Sequence, residues 1–192
     1  MARLILASTS PYRRELLGRL RLAFETLAPQ VDESRSPGET ARSAAMRLAQ
    51  AKAQAVARLH ADALVIGADQ LTEVDGEVLG KPGTEKGAIS QLTRLAGRTV
   101  TFHTGLCLVA GPCARVQLDC VPYQVTLRPL ALAAIKRYVA QERPFDCAGS
   151  FKSEGLGISL FSRQQGEDPT ALVGLPLIRL VDMLALEGIR VP

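Results

Sequence analysis

Residues 1–17 read MARLILASTSPYRRELL, and this stretch decides the start of the fold because it joins a buried strand directly to a helix. Leu4 to Ala7 form a short unbroken apolar run, which is typical of a strand covered on both faces. Ser10 then occupies the N-cap position and Pro11 the first helical position. The pattern therefore predicts a helix that begins at about Pro11.

The predicted helix start suits a phosphate group. Backbone N–H groups in the first turn have no partner within the helix, and they lie at the positive end of its dipole. Ser8, Ser10, Arg13 and Arg14 add two hydroxyls and two guanidinium groups around them. The alternative is an ordinary capped helix with two solvated arginines. The position directly after a buried first strand favours the anion site.

Length and composition set the limits of the interpretation. A chain of 192 residues predicts a single domain over residues 1–192, or two closely packed lobes. No apolar run approaches the roughly 18 residues needed to cross a membrane, and the N-terminal run is too short for a signal peptide, so we expect a cytoplasmic protein with no membrane partner. The net charge of +4 favours anionic partners. The 4% aromatic content and the lack of a dense Lys/Arg block argue against nucleic acid as a partner.

The cysteines point to packing rather than to metal chemistry. The chain has four, Cys107, Cys113, Cys120 and Cys147, and no C-x-x-C pair. With His60 and His103 as the two histidines, a zinc site has little support. Reduced thiols that pack as small apolar groups are the expectation.

A lysine on the apolar face of a helix is the second candidate site residue. Residues 39–59 predict a long helix with an apolar stripe, and the helical spacing places Lys52 on this stripe one turn after Leu48. One interpretation is that the side chain extends past the core until its ammonium reaches water. The other is that the ammonium points into a polar cavity.

A carboxylate follows the second buried strand. The run from Leu64 to Ile66 predicts this strand, which ends in small residues before Asp69 and Gln70. Ligands of open α/β sheets gather beyond the carboxyl ends of strands. A ligand-binding role for Asp69 at a strand exit is therefore a strong alternative to a purely structural role in a turn. A hairpin predicted around Asp75-Gly76 places Lys81 just past its second arm, so we expect Asp69 and Lys81 to lie near each other.

The remaining elements alternate between helices and strands. A helix capped by Thr84 is closed by Gly97, and a last helix runs from Pro176 to Gly188. Between them, the pattern predicts an antiparallel pair of strands over about 99–109 and 114–127 with a turn at Gly111-Pro112, a helix over 130–141, and a small-residue loop that enters a strand.

The candidate side chains combine cations and hydroxyls with two carboxylates, Glu33 and Asp69. Cations bind a polyphosphate, and carboxylates bring a divalent hard metal that neutralises more of its charge. A module that only binds phosphate would not need the carboxylates. The mixture therefore favours metal-assisted phosphate chemistry.

Several stretches resemble the Maf family of nucleoside triphosphate pyrophosphatases, in the expected order over almost the whole chain. They are LILASTSPYRRELL, VDES, RLAQAKA, IGADQ, GKP, CAGSFKSEGLGI and DPTALVGLPL. The resemblance implies an α/β fold similar to the inosine triphosphate pyrophosphatases, with a twisted mixed sheet flanked by helices and two lobes around a cleft. It also implies cleavage between the α and β phosphates of a nucleoside triphosphate substrate, with a divalent metal, Mg or Mn, as cofactor.

The resemblance assigns roles to individual residues. The family's phosphate and catalytic positions fall on Ser8, Arg13, Arg14, Glu33, Lys52, Asp69 and Lys81. Asp69 matches the proton acceptor, and Glu33 and Asp69 are the candidate metal ligands. Because one carboxylate cannot easily accept a proton and hold the metal with the same lone pairs, a metal-bound hydroxide with Asp69 nearby is an alternative assignment. The sequence leaves open whether the chain forms a homodimer.

Three further positions distinguish branches of the family. The branch that acts on dTTP and UTP carries Arg, Thr and Gln where this chain has Tyr12, Gln70 and Glu154, and the branch that acts on 7-methyl-GTP carries an aromatic residue, Gln and Glu. This chain matches the second set, with Tyr as the aromatic. Methylation at N7 gives guanine a positive charge, which favours an aromatic face, and a carboxylate can accept from its N1–H and N2–H₂ edge.

The resemblance therefore implies hydrolysis of 7-methyl-GTP to 7-methyl-GMP and pyrophosphate, which removes modified nucleotides. Three alternatives stay open. One is a nucleotide-binding regulator of septum formation without turnover, and the second is a pyrophosphatase that prefers dTTP or UTP. The third is a basic nucleic-acid binder, whose affinity would fall steeply with salt.

Overall fold

The computed structural model describes residues 3–111 and 115–192. Met1, Ala2, Cys113 and the predicted turn residue Pro112 lie outside the described residues, as does Ala114. The strands are β1 Arg3–Ala7, β2 Glu25–Leu27, β3 Ala63–Val74, β4 Glu77–Leu79, β5 Thr99–Ala110, β6 Arg115–Leu127 and β7 Phe161–Gln165. The α-helices are α1 Pro11–Gly18, α2 Ala41–Ala57, α3 Glu85–Leu95, α4 Leu132–Glu142, α5 Thr170–Val173 and α6 Leu177–Leu186. Two 3-10 turns span Ala148–Ser150 and Leu156–Leu160.

The strands form a mixed sheet, as predicted. The order is β2-β1-β3-β5-β6-β7, and β4 pairs with β3 off this path. Strand β1 is parallel to β2 and β3, whereas the β3–β4 and β6–β7 pairs are antiparallel. Side chains of β5 and β6 pair Thr99 with Thr126 and Thr101 with Gln124. The partner number falls as the residue number rises, so β5 and β6 are antiparallel, as the sequence predicts.

Residue contacts divide the chain into two units. The first contains the described residues up to Gln70 together with those of His103–Val121 and Asp168–Pro192, and the second contains Leu71–Phe102 and Pro122–Glu167. The prediction of one domain over residues 1–192 stays a prediction. In the described part of the chain, no helix is long and apolar enough to cross a membrane.

The first unit has a core on both faces of its strands. In β1, Leu4 and Leu6 join one apolar cluster with helices α1 and α6, while Ile5 and Ala7 join another with helix α2. The side chains of β3 also alternate between these two apolar clusters. Because both faces are covered, an unbroken apolar run is the pattern that such strands require. Helices flank these strands, as the fold-class prediction states.

Helix α2 approaches the strands closely through two glycines. A Cβ atom on Gly67 would lie 2.2 Å from the Ala49 carbonyl oxygen, and one on Gly105 would lie 2.2 Å from the Ala45 carbonyl oxygen. Neither position can carry a side chain without displacing the helix backbone. This close contact fixes the height of α2 above β3 and β5, and with it the position of Lys52.

The second unit is built on an aromatic cluster and a tight hairpin. Phe151 packs edge-on against Phe102 and Phe161, with ring centroids 5.5 and 4.8 Å apart. The two hairpin residues Asp75 and Gly76 have positive φ angles of 50° and 79°. Positive φ at both central positions is the requirement of the turn that the Asp-Gly pair predicts.

Several predicted boundaries are corrected. Helix α2 begins at Ala41 rather than at about residue 39, because Thr40 is its N-cap and accepts from the Ser43 N–H. Helix α4 begins at Leu132, two residues later than predicted. The short helix α5 was not predicted, since four residues are too few to show a helical period.

Candidate active site

The start of helix α1 is formed as predicted. Ser10 is the N-cap, and its Oγ accepts from the Arg13 N–H at 3.3 Å. Ser8 is buried, and its Oγ accepts from the Ser10 N–H at 3.1 Å. Both hydroxyls therefore lie at the positive end of the helix. Binding of phosphate by Ser8 and Ser10 is consistent with this geometry and stays a prediction.

Lys52 is buried and meets two carboxylates. It is 5% exposed, and its Nζ lies 2.6 Å from Asp69 Oδ1 and 2.7 Å from Glu33 Oε1. Asp69 is 8% exposed, whereas most of the Glu33 side chain is exposed. The side chain therefore does not extend past the core into water. The inward orientation predicted from helical spacing is confirmed, and the ammonium contacts two carboxylates.

The position of Asp69 in the chain corrects the sequence prediction. Strand β3 does not end before Asp69 but continues through Asp69 and Gln70 to Val74. The reason is the hairpin, because β4 pairs with Thr72 to Val74 and keeps the chain extended. Asp69 is therefore held in the middle of a twelve-residue strand rather than at a strand exit. A strand interior holds its carboxylate more rigidly than a turn would.

Arg13 is drawn into the same group of charges. Its Nε donates to the Gly174 carbonyl oxygen at 2.9 Å. Burial lowers the pKa of the Arg13 guanidinium, and the negative charges of Asp69 and Glu33 partly oppose that shift. The first unit thus brings together two cations, Lys52 and Arg13, and two carboxylates, Asp69 and Glu33.

Helix α2 also holds the loop that carries Glu33. Arg47 donates through Nε to Glu39 Oε1 at 2.7 Å and through Nη2 to the Ser34 carbonyl oxygen at 3.0 Å. Asp32 Oδ1 accepts from the Ser34 N–H at 2.8 Å. The hydrogen bonds from Arg47 lower the pKa of Glu39 to about 2, so this ion pair persists over the physiological pH range. No sequence signal distinguishes Arg47, because arginines are common on the polar face of a helix.

The amide of Gln70 is fixed by neighbouring oxygens. Its Nε2 donates to the carbonyl oxygens of Ala171 at 2.7 Å and Leu172 at 3.2 Å, and to Thr104 Oγ1 at 3.0 Å. Thr104 was not among the predicted site residues. Thr104 follows Val100 and Phe102 at alternate positions of β5, and this alternation is the signal that could have found it, because a hydroxyl on the buried face of a strand needs a partner.

Two other predicted residues of α1 lie on different faces of the helix. Arg14 is exposed and lines an open hollow with Leu22 to Thr26. Tyr12 is half-buried. Consecutive helical residues point about 100° apart, which explains why Arg14 does not follow Arg13 into the interior. Roles of Arg14 in phosphate binding and of Tyr12 in base binding stay predictions.

Lys81 and Glu154 belong to the second unit. Lys81 is exposed just after β4, where the hairpin prediction placed it. Glu154 is exposed and accepts from Ser153 Oγ at 3.1 Å. Helix α4 anchors its loop, since Tyr138 Oη accepts from the Lys152 N–H at 3.0 Å and Glu142 Oε2 accepts from the Leu156 N–H at 2.9 Å. The prediction that Lys81 and Asp69 lie near each other stays a prediction.

The described cysteines behave as packing residues. Cys107 and Cys120 are buried, and Cys107, Cys120 and Cys147 are all free thiols. Burial raises the pKa of the Cys107 thiol to about 12 and that of Cys147 to about 12. These thiols stay protonated near neutral pH and are poor nucleophiles. The expectation of reduced, packed thiols is consistent with this finding for the three described residues.

The donor set of the first unit fits a hard divalent cation. Oxygens of Glu33 and Asp69 both contact the Lys52 ammonium, so the two carboxylates lie close enough to share one cation. Magnesium is commonly bound by one or two carboxylates together with substrate phosphates and water. Among the residues that the structure describes, no three His, Cys, Asp or Glu side chains form a metal-binding group. A cation at Glu33 and Asp69 would therefore complete its shell with oxygens from outside the protein.

Comparison with known proteins identifies the family. The sequence model described as Maf-like protein matches residues 3–187. The chain belongs to the Maf family. The resemblance read from the sequence motifs is confirmed.

Close relatives carry one common name. A protein of Pseudomonas aeruginosa named 7-methyl-GTP pyrophosphatase is 56% identical over 192 residues, which cover 100% of both chains. Proteins of the same name from Thiobacillus denitrificans and Methylobacillus flagellatus are 55% and 52% identical over 98% and 100% of this chain, and over 94% and 100% of their own lengths. Among solved structures, the Staphylococcus aureus Ham1 protein matches with a TM-score of 0.54 at 15% identity, over 97% of this chain and 98% of that one. This last likeness supports the fold alone.

Proposed function

We propose that this protein is a nucleoside triphosphate pyrophosphatase that hydrolyses 7-methyl-GTP to 7-methyl-GMP and pyrophosphate. The observation that carries the proposal is the convergence of Lys52 and Arg13 with Asp69 and Glu33. The full-length relatives that share this name support the choice of substrate. The corresponding location is the cytoplasm, where the enzyme would be soluble. The corresponding partner is a free nucleotide.

The residues divide the chemistry between them. Ser8, Ser10 and Arg13 bind the phosphates, and Lys52 shifts part of its contact from Asp69 to the phosphate that becomes more negative. Asp69 takes the proton of the water whose oxygen attacks the α phosphorus. The α–β anhydride bond breaks, and pyrophosphate leaves with the bonding electrons. Arg14 and Lys81 are further phosphate ligands in this proposal.

Glu33 and Asp69 would hold a divalent cation, most readily Mg or Mn, for which their oxygens are suitable ligands. When bound, such a cation supplies positive charge that offsets the charge on the phosphates. The protein's own contribution is to keep the two carboxylates converged, which Lys52 and Arg47 do through the contacts described above. Metal binding to Asp69→Asn separates the two assignments of Asp69, proton acceptor and metal ligand.

Base selection is assigned to Tyr12, Gln70 and Glu154. A cationic 7-methylguanine ring gains about 0.5 to 2 kcal/mol from an aromatic face. A two-point contact of a carboxylate with its N1–H and N2–H₂ edge contributes about 1 to 3 kcal/mol. Uracil and thymine carry no such charge and present a different edge. A preference for 7-methyl-GTP over dTTP and UTP follows.

We expect Glu154→Gln to lower kcat/KM for 7-methyl-GTP by about 5- to 150-fold, the equivalent of about 1 to 3 kcal/mol, because the amide keeps the size but loses the charge. The value for UTP should not fall in parallel. The measurement is kcat/KM of the variant for 7-methyl-GTP, GTP and UTP.

The matched control is Glu85→Gln, which changes an exposed glutamate at the start of helix α3 in the same unit. It should leave all three values unchanged. Equal losses of kcat/KM on all three nucleotides in Glu154→Gln would show that Glu154 takes no part in base recognition.

Tyr12→Ala should also lower kcat/KM for 7-methyl-GTP more than kcat/KM for UTP.

A regulator of septum formation that binds nucleotide without turnover is the second candidate. A module that only binds needs the cations but not a buried carboxylate beside them. The 2.6 Å contact of Lys52 with Asp69 therefore favours the enzyme.

A further inference from the structure

The turn formed by residues 168–174, called the α5 turn below, directs its carbonyl oxygens at two site residues. The Ala171 carbonyl accepts from Gln70 Nε2 at 2.7 Å and from Thr104 Oγ1 at 2.8 Å. The Gly174 carbonyl accepts from Arg13 Nε at 2.9 Å. Three parts of the first unit, α1, β3 and β5, are thus connected through one short segment.

These contacts fix the orientation of the Gln70 amide. Two carbonyl oxygens and the Thr104 hydroxyl surround Nε2, and a carbonyl can only accept. The opposite amide orientation would place Oε1 against those carbonyls and is excluded by repulsion. Thr104 is 0% exposed and gives its own hydrogen to Ala171, so it accepts from Gln70. Both hydrogens of the Gln70 amide are therefore used within the protein.

We propose that the α5 turn and Thr104 are positioning elements for substrate selection: they occupy the donors of Gln70 and the Nε of Arg13, so that Gln70 presents only its carbonyl oxygen to a ligand and Arg13 only its terminal nitrogens. The inference rests on the proposed function and deepens it. A base must then offer Gln70 hydrogen-bond donors: a guanine edge has the adjacent donors N1–H and N2–H₂, whereas a uracil edge has the single donor N3–H between two carbonyl acceptors that would repel the Gln70 oxygen.

The α5 turn is itself held by a buried carboxylate. Asp168 is 2% exposed, and its Oδ1 accepts from the N–H and the hydroxyl of Thr170 at 2.9 and 2.6 Å. Its Oδ2 accepts from the Ile178 N–H at 2.8 Å, and Thr170 Oγ1 accepts from the Leu177 N–H at 2.8 Å. Helix α6 has no side-chain cap of its own. Asp168 and Thr170 therefore join the turn to the rigid start of α6.

Gly174 allows the backbone conformation in which its carbonyl oxygen reaches Arg13. Its φ angle is 118°, a conformation that side chains disfavour, and a Cβ there would lie 3.4 Å from Arg13 Nε. A methyl group at this position would be in ordinary van der Waals contact with the guanidinium, so its cost comes from strain in the turn, which displaces the Gly174 carbonyl from Arg13. Glycine thus allows the carbonyl to meet Arg13 at hydrogen-bond distance.

The first test uses the ligand-free protein, so it does not depend on turnover. The exchange rates of the Gln70 side-chain amide protons are measured by NMR in the wild type, Thr104→Val and Thr104→Ser. We expect exchange at least about tenfold slower than in an exposed glutamine, faster exchange in Thr104→Val, and restoration in Thr104→Ser, which keeps the hydroxyl. Exchange as fast as in an exposed glutamine would overturn the proposal.

The matched control is Thr72→Val. Thr72 is also fully buried in a strand, but its Oγ1 has no hydrogen-bond partner within the described residues. The same loss of a hydroxyl should leave Gln70 exchange and nucleotide selectivity unchanged. An equal effect of the two valine variants would show that Thr104 acts only through general stability.

The second test measures the ratio of kcat/KM for 7-methyl-GTP to that for UTP. Thr104→Val should lower this ratio about fivefold, the effect of one hydrogen bond, with Thr104→Ser close to wild type. Gly174→Ala should instead raise KM for both nucleotides alike, because Arg13 meets phosphates common to both. A folded Gly174→Ala with unchanged KM, or an unchanged ratio in Thr104→Val, would contradict the assignment. Absence of turnover in the wild type would contradict the proposed function alone, since the exchange result stands independently.

Discussion

Replacing Asp69 with asparagine is expected to lower kcat by about 10²- to 10⁴-fold, the usual contribution of a general base. Asparagine keeps the shape of the side chain and can still accept from Lys52 Nζ, which lies 2.6 Å from Oδ1. It cannot take a proton from water at neutral pH. Binding of 7-methyl-GTP should survive within about tenfold, because the phosphate-binding cations stay in place. Single-turnover kinetics and equilibrium nucleotide binding measure the two effects.

A matched control is Asp119→Asn, which changes a half-exposed carboxylate of the same unit that pairs with Arg179 at 2.7 Å. Its kcat should equal that of the wild type. If Asp69→Asn retains more than a tenth of the wild-type rate, the central role of Asp69 is wrong.

Metal binding to Asp69→Asn separates the two roles of this carboxylate. Titration calorimetry with Mn²⁺ in the absence of nucleotide gives the affinity directly. An unchanged affinity together with lost turnover assigns Asp69 as proton acceptor. A large fall in affinity assigns it as metal ligand, because one of the two proposed carboxylate ligands would have lost its charge.

The second large effect is expected for Lys52→Met, which should lose most of kcat/KM. Methionine replaces the aliphatic stem with a similar apolar one, so the volume of the site is nearly kept. The ammonium that contacts Asp69 and Glu33 is removed, and with it a positive charge for the phosphates. Steady-state kinetics with 7-methyl-GTP measure the loss, and unchanged kinetics would make Lys52 a purely structural residue.

The structure adds a stability effect to this variant. Asp69 would remain buried without its ammonium partner, and breaking such a pair costs about 3 kcal/mol. A lower Tm is expected for Lys52→Met. The double variant Lys52→Met/Asp69→Asn should recover part of that Tm, because the uncompensated charge is gone, but none of the activity. Recovery of activity in the double variant would contradict a catalytic role for either residue.

Local chemistry was sufficient to predict the parts of the site that lie within one element. The cap at Ser10 followed by Pro11 depends only on neighbouring residues, and it forms as predicted. Lys52 could be placed from helical spacing alone, because a helix of 17 residues keeps its phase over many turns. The Asp-Gly hairpin follows from the φ preferences of two residues.

Contacts between distant parts of the chain could not be predicted in this way. The buried run and the hairpin were each predicted, but the sequence pattern does not show that β3 continues unbroken from one to the other through Asp69. The hydrogen bond from Arg13 to Gly174 joins residues 161 positions apart, and that from Thr104 to Ala171 joins residues 67 apart. Their sequence environments are ordinary, so only tertiary packing identifies them.

The most direct measurement is the rate of pyrophosphate release from 7-methyl-GTP, GTP, dTTP and UTP in parallel, with Mg²⁺ or Mn²⁺ and with product identification. We predict the highest kcat/KM for 7-methyl-GTP, and equal amounts of 7-methyl-GMP and pyrophosphate. Inorganic phosphate with 7-methyl-GDP, faster turnover of dTTP or UTP, or binding without any pyrophosphate release would contradict the proposed function.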